Sequence, residues 1–367
     1  MKPKTIVVKL GTSMLTSGTK HLDSARMIEV VRSISTLVKM GHHVVVVSSG
    51  AMAAGREALN FPDVPKTLAF KQMFASVGQN CIMHRWEQLF EIYKLKIGQI
   101  LLTMADLESR ERYLNIRDAM GALVTMGIIP IINENDAVST KEIRVGDNDN
   151  LSARAALLVE ADLLILLTDQ KGLYTADPRS NKDAKLISEI KEITPEIRAL
   201  AGTSVSGLGT GGMATKLQAA EIATRSGVDV VIASGDNPAI IVDIVNGKFE
   251  GTTIYAQNTP LEAKKAWLLS GSIPQGTLIV DNGAKSALIE RGSSLLPKGI
   301  IKVVGEFTRG DAVKIIDEND SQIATGLARY SSDELVKILR HNSSEIDEIL
   351  GYERGNVAVH RDDLVMV

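Results

Sequence analysis

Two lysines stand beside glycine-rich segments in places where an amine could meet an anion. Lys9 ends the apolar run TIVVKL and opens KLGTS (9–13), and Lys216 closes GLGTGGMATK (207–216), which leads into a helix-like stretch. A third glycine-rich segment, SSGAMAAG (48–55), follows another apolar run. Glycine lets backbone N–H groups approach an anion closely, and a helix N-terminus adds partial positive charge. Each segment taken alone reads equally well as a tight turn, and each lysine as a solvated or snorkelling side chain. Together they suit a phosphoryl group in transfer, whose equatorial oxygens carry spread negative charge and need positioned cations.

The stretch NENDAVSTKEIRVGDNDN, Asn133 to Asn150, supplies the opposite character. It holds Asn133, Asn135, Asp136, Asp147, Asn148, Asp149 and Asn150, with Glu134 and Glu142 between them. Asp149 or Asn150 can cap a helix over 150–160, and Asn133 or Asn135 can close the turn after a strand. Asp136, Asp147 and Asn148 are then surplus. Carboxylates bind an amino group or a metal, or orient lysines, and amides bind a carboxylate. Such a set facing glycine amides fits a free amino acid. A polar surface hairpin, with Val138 to Val145 pairing as short strands, is the plain alternative.

These segments need a scaffold that brings them to one edge. Continuous β-branched runs at 5–10, 43–49, 97–103, 128–133, 163–168 and 228–234 predict strands covered on both faces. Helix-like stretches fall at about 24–40, 66–93, 109–126, 150–160 and 213–226, with Leu151, Ala155, Leu158 and Val159 on one face of the fourth. The alternation predicts a three-layer αβα sandwich around a mainly parallel sheet, with ligands at the carboxyl ends of the strands. The pattern changes near residue 251, where GTTIYAQNTPLEAKKAWLLSGSIPQG reads as a connector. From Thr277, short strands with Gly and Asp-Asn turns predict a small β-barrel-like domain.

The bulk properties exclude several classes. The chain has 367 residues, is 44% hydrophobic and 23% charged, and carries a net charge of −3, so a soluble globular protein of two or three domains is expected and a general nucleic-acid binder is not. The single Cys81 forms no intrachain disulfide and fits a reducing, cytoplasmic setting. The opening apolar run is too short for a signal sequence, and no segment reaches the length of a membrane span. The six His residues show no HExxH or Cys/His zinc spacing. No Walker A loop is present. Gly207, Gly209 and Gly212 match GxGxxG, but after a poor strand and far from the first βα unit, which weakens a nicotinamide-dependent oxidoreductase. DNDNLS fails the calcium loop at Leu151 and Ser152.

Seven segments then carry a specific likeness: VVKLGTS, VSSGAMAAGR, INENDAV, VGDNDNLSA, LLTDQKGLYTADPR, SGLGTGGMATKLQAA and ERGSSLLPKGI. They span nearly the whole chain in order, and together they resemble the amino-acid kinase family in its long form with a C-terminal PUA domain. Carbamate, acetylglutamate and aspartate kinases share the glycine–lysine logic without the INENDAV and GDNDN pair. The resemblance implies a catalytic domain at 1–257, a linker at 258–274, a PUA domain at 275–353 and a tail at 354–367. It implies ATP-dependent phosphorylation of the γ-carboxylate of L-glutamate to L-glutamyl 5-phosphate, the first step of proline biosynthesis, with Mg²⁺ on the ATP phosphates and feedback inhibition by proline.

Carried over residue by residue, the resemblance makes Lys9 and Lys216 the cations on the transferring phosphoryl group and Asp149 the residue that orients them. It assigns Ser49, Gly50, Ala51, Asp136 and Asn148 to glutamate, with Asn133 and Asp147 nearby. It assigns Lys9, Thr168, Asp169 and the stretch Thr210, Gly211, Gly212, Met213, Ala214, Thr215 and Lys216 to ATP, and no protein metal ligands. A homo-oligomer (dimer or tetramer) and hand-over of the product to a glutamyl-phosphate reductase are further implied partners, with no membrane. The acceptor carboxylate is already ionised at neutral pH, its reference pKa being about 4.3, so no general base is needed, and the sequence offers no evident His or Cys for one. Residues 275–353 hold nine Lys and Arg against thirteen Asp and Glu, which argues against RNA binding. The competing readings are a kinase of another small carboxylate, an oxidoreductase, and an RNA-associated protein with a kinase-like scaffold.

Overall fold

Strand β1 (Thr5–Leu10) has five of its six residues buried, and β2 (His43–Ser48) likewise. A strand apolar on both faces has to be central and covered by helices above and below. The computed structural model describes residues 2–139, 147–201, 212–259 and 274–367, and in it these two strands pair in parallel in the middle of an eight-stranded sheet. The other strands are β3 (Ile97–Leu102), β4 (Ile129–Glu134), β5 (Leu163–Thr168), β6 (Glu189–Ile190), β7 (Asp229–Ser234) and β8 (Gly251–Ile254), in the order β3-β4-β2-β1-β5-β7-β8-β6. All neighbours run parallel except β7 and β8.

The helices are α1 (Thr12–Thr16), α2 (Ser24–Lys39), α3 (Ala51–Ala58), α4 (Leu68–Glu91), α5 (Met104–Glu108), α6 (Arg110–Thr125), α7 (Asp147–Leu158), α8 (Pro195–Leu200), α9 (Met213–Arg225) and α10 (Ile240–Val245). The core under α2 and α4 joins Ile6, Val8, Val44, Val46 and Ile165 of the sheet to Val30, Ile34, Ile82, Trp86 and Phe90. Register aligns the carboxyl ends of the central strands: Leu10 lies beside Ser48, Val47 beside Ile132, and Thr168 beside Ser234. Loops leaving these ends therefore share one edge, where ligands of such sheets gather.

Two differences from the sequence reading concern α7 and β8. The fourth helix begins at Asp147, three residues earlier than expected, so Asp149 and Asn150 lie inside its first turn and do not cap it. Residues 251–254, read as connector, form β8, antiparallel to β7. Of the residues singled out above, Glu142, Val145, Gly207, Gly209, Thr210 and Gly211 lie outside the described residues, as do most of 258–274 and the side chain of Asp147.

The chain divides into two compact units, Met1–Leu107 with Ile116–Pro260, and Glu108–Asn115 with Leu261–Val367. The second has a five-stranded sheet, β10-β9-β11-β12-β13, made of β9 (Gly276–Val280), β10 (Ile300–Val304), β11 (Ala312–Ile316), β12 (Gln322–Leu327) and β13 (Leu364–Met366). Its own core contains Leu278, Val280, Val313, Ile315, Tyr330, Leu335 and Val359.

Candidate active site

Lys9, next to last in β1, is 5% exposed, and Lys216, in the first turn of α9, is 4% exposed. Two buried ammonium groups need a counter-charge, and one carboxylate serves both. Asp149 Oδ1 lies 2.6 Å from Lys9 Nζ, and its Oδ2 lies 3.3 Å from Lys216 Nζ. The Thr215 hydroxyl, 2.7 Å from Oδ2, adds a third donor. Burial alone raises the Asp149 carboxyl, but the charges of Lys9 and Lys216 outweigh it and hold the group below the usual carboxylate range. Burial pushes the Lys216 ammonium down, and Lys9 pushes it further, against the pull of Asp149. Two cations on one anion leave this buried triad with a net positive charge, which suits a further anion.

Backbone geometry places the triad. Gly11 brings the chain close past the first lysine, for a Cβ built there would lie 3.7 Å from Lys9 Nζ. Helix α9 is preceded by Gly212, and among the described residues no side chain caps it there, which suits an anion at its first amides. Thr168 ends β5 and donates to Asp169 at 3.0 Å. Met213, Ala214 and Thr215 form the opening of α9.

A second network, of neutral groups, adjoins the first through the preceding residue of α7. Asn148 Nδ2 donates to Ser49 Oγ at 2.9 Å and to Asn133 Oδ1 at 3.0 Å, and it lies 3.5 Å from the Ser48 carbonyl. Asn133 sits within β4, 4% exposed, and donates from Nδ2 to Gln79 Oε1 at 2.8 Å. Ser48 accepts at 3.1 Å from the indole N–H of the fully buried Trp86. Gly50, with φ of 96°, turns the chain into α3 in a conformation that favours glycine, and a Cβ there would also stand 3.2 Å from Ile82 Cδ1. It leaves α3 without a side-chain cap, so the amides that start at Ala51 are open to an acceptor. Asp136 is half-buried in the turn after β4.

The structure thus brings Lys9, Lys216 and Asp149 into direct contact, and Ser49, Asn133 and Asn148 into a second connected set. Thr215, expected to face a nucleotide, bonds Asp149. Gln79 and Trp86, both on α4, gave no sequence signal: a glutamine and a tryptophan inside a helix read as surface and core.

Comparisons with known proteins follow this geometry. The amino acid kinase family matches residues 4–234, and the PUA domain matches residues 276–350. The chain is 56% identical over 362 residues to glutamate 5-kinase of Escherichia fergusonii, which covers 99% of this chain and 98% of that protein, and equally so to glutamate 5-kinase of Escherichia coli. Among solved structures, carbamate kinase from Giardia lamblia bound to AMP-PNP is 19% identical at a TM-score of 0.50, covering 69% of this chain and 99% of that one. UMP kinase from Bacillus anthracis is 15% identical at a TM-score of 0.50, covering 70% and 98%. At these identities the structural likeness is one of fold.

Proposed function

The chain belongs to the amino acid kinase family, within its glutamate 5-kinases, and from that premise we propose that it transfers the γ-phosphoryl group of ATP to the γ-carboxylate of L-glutamate. The products are ADP and L-glutamyl 5-phosphate, and the reaction opens proline biosynthesis. The observation that carries the chemistry is the Lys9–Asp149–Lys216 triad. A phosphoryl group passing between two anionic oxygens needs charge neutralisation and alignment more than proton transfer. Asp149, with one oxygen on each lysine, holds the two cations at a fixed separation before ATP arrives, so little reorganisation is needed in the transition state.

The acceptor oxygen is already ionised, so the residues around it have to bind and orient. Ser49, Asn148 and the open amides beginning at Ala51 are assigned to glutamate, with Asp136 for its ammonium group and Gly50, Asn133 and Asp147 shaping the site. Thr168, Asp169 and the start of α9 are assigned to the nucleotide. Among the described residues no group of three or more His, Cys, Asp or Glu side chains could hold a metal ion, and both oxygens of Asp149 already meet ammonium groups. A Mg²⁺ ion on the nucleotide phosphates would supply further charge neutralisation. Proline carries the same α-carboxylate and α-amine as glutamate, and we propose that it competes for the same pocket.

The test is a panel of small carboxylates with coupled detection of ADP. ADP release that depends on glutamate and exceeds that with aspartate, N-acetylglutamate and bicarbonate is the expected result. Release with another member of the panel and none with glutamate would overturn the proposal.

A further inference from the structure

We infer that Gln79, on α4, is a positioning residue that sets the polarity of the amide chain ending at Asn148, and through it the recognition of the substrate's ammonium group. The inference rests on the proposed glutamate pocket and adds to it a residue outside the pocket. A primary amide has one donor end and one acceptor end, so a chain of amides has a direction. Here Gln79 presents Oε1 to Asn133 Nδ2, and Asn133 in turn presents Oδ1 to Asn148 Nδ2. Asn148 Nδ2 is thereby committed to Asn133 and Ser49, and Asn148 Oδ1 is left as a buried acceptor with no hydrogen-bond partner among the described residues.

An orphaned buried acceptor calls for a donor. Glutamate at neutral pH offers one kind of strong donor, its ammonium group, because both of its carboxylates only accept. If Gln79 were to present a donor instead, Asn133 would turn its oxygen toward α4, Asn148 would turn its amide nitrogen outward, and the chain would end in a group that repels an ammonium.

The packing beside Gln79 fixes the place of its backbone. Its neighbour Gly78 meets the backbone of α3 so closely that a Cβ there would fall 1.7 Å from the Ala51 carbonyl oxygen and 2.4 Å from the Gly55 nitrogen. A Cβ at Gly55 would in turn fall 1.9 Å from the Phe74 carbonyl oxygen. Helix α4 is thus seated on the first turn of α3, directly after the Ser49–Gly50 turn, and Gln79 cannot slide along it.

The experiment compares Gln79→Leu and Gln79→Glu with the unaltered enzyme, using glutamate and glutarate, which lacks the ammonium group. Glu keeps an acceptor oxygen toward Asn133 and Leu does not. In Gln79→Leu we expect KM for glutamate to rise about tenfold, the loss of one hydrogen bond to a charged group. We expect kcat and KM for ATP to stay within about threefold, and kcat/KM for glutarate to be unchanged. Gln79→Glu should restore KM for glutamate. A fall of equal factor for both acids, or an unchanged KM for glutamate in a folded Leu variant, would overturn the inference. Should the Leu variant not fold, the Glu variant decides the matter, because a KM for glutamate as poor as that of an Asn133→Ala enzyme would sink it. Absence of glutamate turnover by the unaltered enzyme would instead overturn the proposed function.

Discussion

Replacing Asp149 with Asn exchanges one carboxylate oxygen for an amide nitrogen and removes a charge that both Lys9 and Lys216 contact. At an effective dielectric constant of about 20, a unit pair at the Lys9 distance of 2.6 Å is worth about 6 kcal/mol, and one at the Lys216 distance of 3.3 Å about 5 kcal/mol. Desolvation offsets much of this, because all three groups are at least nineteen-twentieths buried. The net cost of leaving buried cations without their anion is about 3–5 kcal/mol, which for a domain of this size lowers Tm by on the order of 10 °C.

Lys216→Met is the control that separates stability from chemistry. It leaves Asp149 paired with Lys9 and removes a costly buried cation, so stability should change by about 1 kcal/mol or less. Its kcat should nonetheless fall by about 10²–10³, the usual effect of removing one group that stabilises transition-state charge. The assay is differential scanning calorimetry of the ligand-free proteins, with initial rates of ADP formation. A non-hydrolysable ATP analogue should raise the Tm of Asp149→Asn more than that of the unaltered protein, because its phosphates supply the missing anion. If Asp149→Asn melts with the unaltered protein and keeps kcat within tenfold, the two lysines do not depend on this carboxylate and the electrostatic account is wrong.

Four further outcomes follow from particular groups. Gly78→Ala places a methyl group inside the Ala51 carbonyl, so chemical denaturation should show a loss of about 3 kcal/mol or more; an unchanged midpoint would mean that α3 and α4 do not touch there. His42 is buried, accepts at Nδ1 from the Lys4 amide at 3.0 Å and has no partner at Nε2, and burial followed by the Lys4 charge lowers its pKa below 6.5. The unfolded chain binds that proton more readily, so the contribution is complete above pH 6.5 and is lost as pH falls below it; a His42→Gln variant should have a flatter stability profile between pH 5 and about 7. The lowered pKa of Lys216 predicts that kcat/KM for ATP falls on the alkaline side at a pH under the ordinary lysine value of 10.5, and an alkaline limb absent up to that value would count against a lowered Lys216 whose charge ATP requires. Asp136→Ala should raise KM for glutamate while leaving KM for ATP near its starting value, and the reverse pattern would remove Asp136 from the substrate side.

How much of this was legible in the chain depended on the range of each interaction. LLILLT and HVVVVS declare themselves as central strands because burial on both faces demands unbroken apolar runs. GTTI does not, although it is also a strand. Thr252 is fully buried there because its hydroxyl bonds the Ile187 carbonyl and accepts from the Leu173 amide, partners 65 and 79 residues away. The start of α7 was misread for a related reason. An Asp near a helix start reads as a cap, whereas Asp149 turns its carboxylate inward to two lysines that lie 140 residues before it and 67 after it. Lys9 and Lys216 were legible as a pair because glycine-rich neighbours are a local signal. Gln79 was not, since its partner Asn133 is 54 residues away and nothing around either residue marks the link.

The density of Asn and Asp at the start of α7 has an explanation in helix geometry. Successive helical residues point about 100° apart, so Asn148 and Asp149, adjacent in sequence, address different neighbours. Asn148 meets the Ser49 turn and Asn133, while Asp149 meets the lysines of β1 and α9. A neutral amide network and an ionic one are therefore mounted on the same turn of a single helix, the first on the side proposed for the carboxylate acceptor and the second on the side proposed for the phosphoryl donor. Ser152 ties that turn together by donating to the Asp149 carbonyl at 2.6 Å. On the proposed assignment, the spacing between the two substrates is set by one helix start. An inserted residue at the start of α7 would rotate both networks together, so it should abolish glutamate selectivity and phosphoryl transfer in the same step.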